Sequence, residues 1–327
     1  MSGRGMGTST PSGIGEPQRE SAIGNRESRI GSSVTDFLLA ALVRSTPLLL
    51  TGLAVAIAFR AGIWNIGAEG QFYAGAVVAV WIGTRLDSAS PLVFLLVIPL
   101  AAAAAGALWA SVPAVLRARF GVLEVITTIM LNFIAEHLVG FLVHGPMQEA
   151  GKTYPQSDPL AEAARLAPLV EGVRLTWALP MGVLLAFAVW IVLTRTWPGF
   201  ALRAAGANPL AARVSGRIPV LKVTTMTFLV SGAIAGLAGA AEACGVTFAL
   251  YEKLSPGYGY TAIAVALLAR LHPLGVIASA LAFGALEAGA SALQRSYGIP
   301  SVTVYAVEAA VILLIVAAER RLRRGDG

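Results

Sequence analysis

The chain is expected to be all-α, a polytopic transmembrane helical bundle with about nine spans. Three observations predict this. Of 327 residues, 56% are hydrophobic and only 13% charged, and the mean hydropathy is +0.73, which leaves too little polar surface to cover a soluble globule of that size. The apolar stretches approach the roughly 20 residues a helix needs to cross a bilayer. They are continuous runs of Ala, Leu, Val and Gly, without the alternation of an outer-membrane barrel.

Taken in order, residues 1–44 read as a polar, unstructured tail: Gly, Ser, Arg and Glu dominate positions 1–33, and no signal-peptide core is present. The transmembrane region covers 45–318. Hydropathy places spans at 45–60, 67–84, 91–116, 122–143, 175–194, 222–242, 258–270, 273–293 and 300–318. Between them, 146–174 is a loop with Pro146, Pro155, Pro159 and Pro168 among charges of both signs. Residues 195–221 form a second loop containing a short helix, for which Asn208 and Pro209 supply an N-cap and first turn and Gly216 a stop. A basic tail, 319–327, ends the chain.

Loop charges give a direction. One set of loops holds Arg60, Arg117, Arg119, Arg195, Arg203, Arg213, Arg217, Lys222, Arg270, Arg320, Arg321, Arg323 and Arg324, thirteen basic residues. The other holds six, Arg85, Lys152, Arg165, Arg174, Lys253 and Arg295, accompanied by Asp87, Glu149, Asp158, Glu162, Glu171 and Glu252. The first set is therefore expected in the cytoplasm, which makes 195–221 a cytoplasmic loop and 146–174 an external one. Nine spans with a cytoplasmic carboxyl terminus put the polar tail outside, so either one span is miscounted, as by a re-entrant segment at 61–72, or a helix precedes residue 1.

Several polar groups interrupt the apolar runs. Arg60-Ala-Gly-Ile-Trp-Asn-Ile-Gly-Ala-Glu-Gly-Gln71 places Asn65, Glu69 and Gln71 among three glycines. Non-helical backbone at membrane depth survives only where protein buries it or water lines it, and broken helices build transporter sites. A re-entrant or broken helix at 61–72 and an ordinary cytoplasmic turn both fit. Glu124, Glu136, His137, Glu242, Glu287 and Glu308 fall within predicted spans, where a carboxylate costs on the order of 3 kcal/mol unless it is protonated, paired or solvated. Thr127, Thr128 and Asn132 are suited to bonding between helices. Gly232, Gly236 and Gly239 present a small face for close helix packing.

Other functions are excluded. The charge of +6 is dispersed over short loops instead of forming the stripe of a nucleic-acid binder. Gly145 to Thr153 looks like a phosphate loop but has five residues between its glycines where four are required. Lone Cys244 forms no internal disulfide, and no spacing of Cys, His or carboxylates suggests a metal site or an acid/base dyad.

Asn65-Ile-Gly-Ala-Glu-Gly-Gln71, Glu124-Val-Ile-Thr-Thr-Ile-Met-Leu-Asn132 and Arg203-Ala-Ala-Gly-Ala-Asn-Pro-Leu-Ala-Ala-Arg-Val-Ser-Gly216 together resemble the nucleoside and simple-sugar permeases of ATP-binding-cassette importers, within the group that includes ribose and branched-chain amino-acid permeases. The resemblance runs from about Thr46 to Ala318. It implies a multi-pass subunit of a prokaryotic plasma membrane without its own ATPase site. It also implies a partner ATP-binding subunit carrying ATP and Mg, a second permease subunit and an extracytoplasmic substrate-binding lipoprotein. Carried over by position, Arg203, Gly206, Asn208, Ala211, Ala212, Arg213 and Gly216 would couple to the ATP-binding subunit. Asn65, Glu69, Gln71, Glu124 and Asn132 are expected to line or brace the substrate pathway, and Trp64, Phe72 and Tyr73 would offer rings for stacking a base. Relatives carry one more helix before the segment equivalent to Thr46–Arg60. The rival readings are an ion-coupled secondary transporter, which would use the carboxylates, and a branched-chain amino-acid permease.

Overall fold

A computed structural model describes residues 16–86, 90–297 and the single positions 306, 309 and 310. Apart from those three positions, the expected span 300–318, with Glu308, and the basic tail 319–327 lie outside the described residues, as does Asp87. Among the described residues the fold is built from helices joined by loops. They are α1 (Glu16–Arg60), α2 (Ala68–Gly83), α3 (Pro91–Phe120), α4 (Glu124–Val143), α5 (Ala178–Arg195), α6 (Trp197–Ala207), α7 (Pro209–Val214), α8 (Val220–Glu242), α9 (Tyr258–Leu268) and α10 (Pro273–Tyr297).

The expectation of nine spans is not confirmed. Among the described residues six helices are long and apolar enough to cross a membrane: Val34–Arg60, Val93–Phe120, Glu124–Val143, Ala178–Arg195, Val220–Thr247 and Pro273–Ser296. The apolar runs expected at 67–84 and 258–270 are helices of 16 and 11 residues, about 24 and 16 Å long at 1.5 Å per residue. Hydropathy registers apolar content; it does not register helix length. The amino-terminal expectation also changes, since helix α1 begins at Glu16 and its apolar part at Val34, where an unstructured tail to residue 44 was expected.

The core sits around α1, which packs against α8, α9, α10 and α5 through Leu48, Leu49, Leu53, Ala54 and Val55. On its other side α8 is held between α2 and α3, and the contact is close because the glycine face removes side chains. A Cβ on Gly236 would run into the Ala102 carbonyl, and one on Gly75 into the Gly236 carbonyl. The packing role read for Gly232 and Gly236 is what α8 uses.

The two loop sets separate to opposite ends of the bundle. At one end Arg60 Nη1 donates to the Leu271 carbonyl (3.1 Å), Gly62 lies on Gly206, and Arg117 pairs with Glu124 (3.5 Å). At the other, the 146–174 loop lies on 244–251: Ser157 N donates to Leu250 O (2.7 Å), Leu160 N to Phe248 O (2.8 Å) and Leu166 N to Cys244 O (2.9 Å). Arg174 and Arg165 cover the Phe248 ring. Within the loop, Gln156 Nε2 donates to Glu149 (2.8 Å), joined by the amides of Tyr154 (2.9 Å) and Thr153 (3.2 Å). These bonds, Gln156 first, hold the Glu149 carboxyl below its ordinary range.

Candidate functional site

The chain leaves helix at Arg60 and resumes it at Ala68. Gly62 turns it with a φ of 73°, a conformation that favours glycine. Ala61, Gly62 and Ile63 still donate to carbonyls at the end of α1, but the rest of the seven-residue break leaves the helix, and buried amides and carbonyls must be paired. Asn65, fully buried, does much of this. Its Oδ1 accepts from Gly67 N (3.0 Å) and Gln71 Nε2 (3.1 Å), while its Nδ2 donates to Gln71 Oε1 (3.0 Å) and Ser231 Oγ (2.9 Å). Ser231 in turn donates to Ala54 O (2.7 Å), so α1, the break and α8 are joined through one side chain.

Asn132 of α4, also fully buried, clamps the same segment. It donates to Ile66 O (2.9 Å) and accepts from Gly70 N (2.9 Å). One end of α4 is tied by Glu124, which accepts from Trp64 N (3.3 Å) and pairs with Arg117. Along α4, Glu124 to Asn132 is about 12 Å, so the segment from Trp64 to Gly70 climbs by about that depth into the bundle.

There α2 meets α9. Glu69, 1% exposed, accepts from Gly259 N (2.6 Å), and a Cβ on Gly259 would collide with the Glu69 backbone. The two short helices therefore touch amino end to amino end. Each amino terminus carries unpaired N–H groups and partial positive charge, and the buried carboxylate answers both needs. Approaching α9, the chain unwinds from α8 through a π turn, Ala243–Thr247, and a non-helical stretch to Gly257.

Of the five residues expected at the pathway, Asn65, Glu69, Gln71 and Asn132 come together at this junction, while Glu124 braces its lower end. Their polar atoms are committed to protein partners, which is the geometry of a brace. Of the rings expected to stack a base, Phe72 and Tyr73 meet edge to face with centroids 5.8 Å apart. Trp64 is 56% exposed and packs on Phe59, whereas Phe72 and Tyr73 are 0% and 2% exposed; their burial withdraws them from a passing ligand.

Three features escape sequence reasoning. Ser231 falls in an ordinary apolar helix and is found only through its contact. Trp109 Nε1 is buried beside Gly70 without a protein acceptor. The third is the exposure of Glu136 on α4 and of Tyr260 (38% exposed) on α9. Exposure of one helix face is not readable from spacing.

The 195–221 segment forms two helices where one was expected. Thr196 caps α6 by accepting from Gly199 N (3.4 Å), and Asn208 caps α7 by accepting from Ala211 N (3.0 Å). Gly216, with a φ of 66°, ends the turn. Gly206 lets α6 sit directly on the Arg60 carbonyl, joining this segment to the start of the break. Ala212 is buried, while Arg203, Asn208, Ala211, Arg213 and Gly216 are exposed. Beside the Gly206 contact lies a cavity of about 400 Å³, lined by Arg117, Arg213, Thr224, Thr225 and Phe228 among others. Among the described residues no group of three or more His, Cys, Asp or Glu is placed to hold a metal.

Comparison with known proteins agrees with this architecture. Residues 37–316 match the family described as the permease component of the branched-chain amino acid transport system. A glucose ABC transporter permease of Haloferax volcanii is 38% identical over 300 residues, covering 87% of this chain and 77% of its own length. A guanosine ABC transporter permease of Bacillus subtilis is 38% identical over 284 residues (85% and 80%), and a nucleoside ABC transporter permease of Lactococcus lactis is 31% identical over 278 residues (82% and 76%). No solved structure matches the chain. With a family match over most of its length and helices built to cross a bilayer, this chain is a multi-pass membrane protein belonging to the permease components of ABC transport systems.

Proposed function

We propose that this permease subunit passes nucleosides or related simple sugars inward by alternating access, powered by a separate ATP-binding subunit that holds ATP and Mg. The observation that carries the reading is its similarity, over most of its length, to permeases for glucose, guanosine and nucleosides. Two guanosine permeases of Bacillus subtilis resemble the chain, at 38% and 29% identity, which supports pairing with a second, different permease. An extracytoplasmic lipoprotein delivers the substrate.

In this reading the Arg60 end of the bundle is cytoplasmic and the 146–174 loop external. The segment 61–67 is re-entrant, and the junction of α2 and α9 braces the passage through Asn65, Glu69, Gln71 and Asn132, with Glu124 beneath. Arg203, Gly206, Asn208, Ala211, Ala212, Arg213 and Gly216 form the coupling element. Exposed Arg203 and Arg213 suit acidic groups of the ATP-binding subunit, and Gly206 transmits displacement of α6 to Arg60 and the break. Broken helices whose ends meet at depth have two packings available, which alternating access requires.

Co-purification tests this. The ATP-binding subunit is expected to accompany the chain through detergent extraction, and Arg203→Glu with Arg213→Glu to release it. A chain that retains no ATP-binding subunit under any condition contradicts the reading.

A further inference from the structure

The cavity of about 400 Å³ beside Gly206 falls in the range of about 300–1,000 Å³ that holds small molecules, and no step of transport described above uses it. Its wall comes from two bodies. Arg117 belongs to α3 and Thr225 to α8, which pack closely on one another, whereas Arg213 belongs to short α7. Arg117 is set in place by Glu124, which meets its Nε at 3.5 Å. Its Nη1 is buried and has no acceptor among the described residues, and a buried donor of this kind calls for a partner. Arg213 is exposed, and among the described residues neither its guanidinium nor the Thr225 hydroxyl has a hydrogen bond or ion pair. Three unused donor groups thus line one space, over an apolar floor of Ala114, Ala118 and Phe228. Glu124 answers one of the two positive charges and leaves the other.

We propose that this cavity binds a phosphate monoester, and that the bound phosphate draws Arg213 toward Arg117 and so restrains α7. The effect on uptake rests on the transport reading above; the binding does not. A phosphate monoester carries three terminal oxygens that accept strong hydrogen bonds, enough for two guanidinium forks and a hydroxyl, and Arg is the side chain whose planar fork matches phosphate. A carboxylate from the ATP-binding subunit would occupy one fork and leave the rest of the space unfilled. The apolar floor accepts the body of the ester. Two sources carry the group: a soluble phosphorylated sugar or nucleoside, and the headgroup of phosphatidic acid in the cytoplasmic leaflet. Since a ligand shifts an equilibrium toward the packing it binds better, a phosphate that ties α7 to the bundle slows any cycle in which α7 must move.

The test uses the assembled importer in phosphatidylcholine nanodiscs, without ATP or transport substrate, and radiolabelled ribose 5-phosphate as the probe. Saturable binding is expected, competed by inorganic phosphate and not by ribose. Arg213→Ala and Thr225→Val are each expected to weaken it by about tenfold, the loss of one hydrogen bond to a charged group. Nanodiscs containing phosphatidic acid separate the two sources: binding lost there assigns the site to the lipid headgroup, and binding kept assigns it to the soluble ester. Competition by ribose, or unchanged affinity in both variants, overturns the proposal. So does the absence of saturable binding in phosphatidylcholine, which leaves the cavity to an acidic group of the ATP-binding subunit. In proteoliposomes, ribose 5-phosphate supplied on the same side as ATP is expected to slow uptake of guanosine or glucose by wild type more than by either variant, each compared with its own rate without the ester. Equal slowing in all three overturns the restraint on α7. Wild type that takes up neither guanosine nor glucose overturns the transport reading and leaves the binding result standing.

Discussion

Asn65 is the residue on which the break depends. Its amide satisfies a backbone N–H and two side chains while anchoring the segment to α8 through Ser231. Asn65→Ala removes these bonds at once and leaves buried Gln71 and Gly67 unpaired, at about 1–3 kcal/mol for each unsatisfied group. The expected outcome is a clearly lowered thermal midpoint in detergent, with Ser231→Ala giving a smaller drop of the same sign. An unchanged midpoint for Asn65→Ala would show that the network does not hold the segment. The polar identity of Asn65, Gln71 and Asn132 was legible in the sequence because each interrupts an apolar run. Their partners were not, since Ser231 lies 166 residues away. Outside the membrane, Glu149 gives a pH signature. Its carboxyl is held below the ordinary range by Gln156 and two amides; the stabilisation is complete above the unfolded carboxylate value of about 4.3 and is lost as pH falls through the lowered native value. Hydrogen exchange at the Tyr154 and Thr153 amides is expected to stay slow at mildly acidic pH and to speed up below it, and Glu149→Gln to remove the dependence.

At the scale of elements, two helices are short for different reasons. The 61–67 break starts α2 inside the bundle, and the unwinding after α8 starts α9 at Gly257, whose φ is 104°. The break was readable because Asn65, Glu69 and Gln71 cluster with glycines. The late start of α9 was not, because its fixing contact is Glu69, on another helix. The close approach of α8 to α2 and α3 makes Gly236→Leu severe. Backbone atoms stand where the side chain would go, so the variant is expected to fail to reach the membrane fraction as a folded species, while Gly121→Ala, in open space though at a φ of 65°, costs about 1 kcal/mol. Equal yields of Gly236→Leu and wild type would contradict the packing. On α7 the Asn208 cap is worth about 1 kcal/mol. Asn208→Ala is expected to loosen α7 and lower uptake per ATP hydrolysed more than it lowers folding, read by measuring both rates on one preparation.

For the whole molecule, loop charge and helix geometry describe one arrangement. The basic loops gather where Arg60, Arg117, Gly206 and Leu271 meet, and the mixed-charge 146–174 loop covers the opposite end. Counting Lys and Arg was enough to separate the ends, since that signal is local to each loop. The number of spans was harder to read, because α2 and α9 are apolar helices of only 16 and 11 residues. What unites these features is a bundle whose broken helices sit directly above a segment suited to docking a motor. The most direct measurement is uptake of radiolabelled guanosine and glucose by proteoliposomes containing this chain, its ATP-binding subunit, a second permease and the binding lipoprotein. The account predicts accumulation of one or both that requires ATP, is abolished by vanadate and persists when ionophores collapse every ion gradient. Uptake that needs an ion gradient and proceeds without ATP would contradict it.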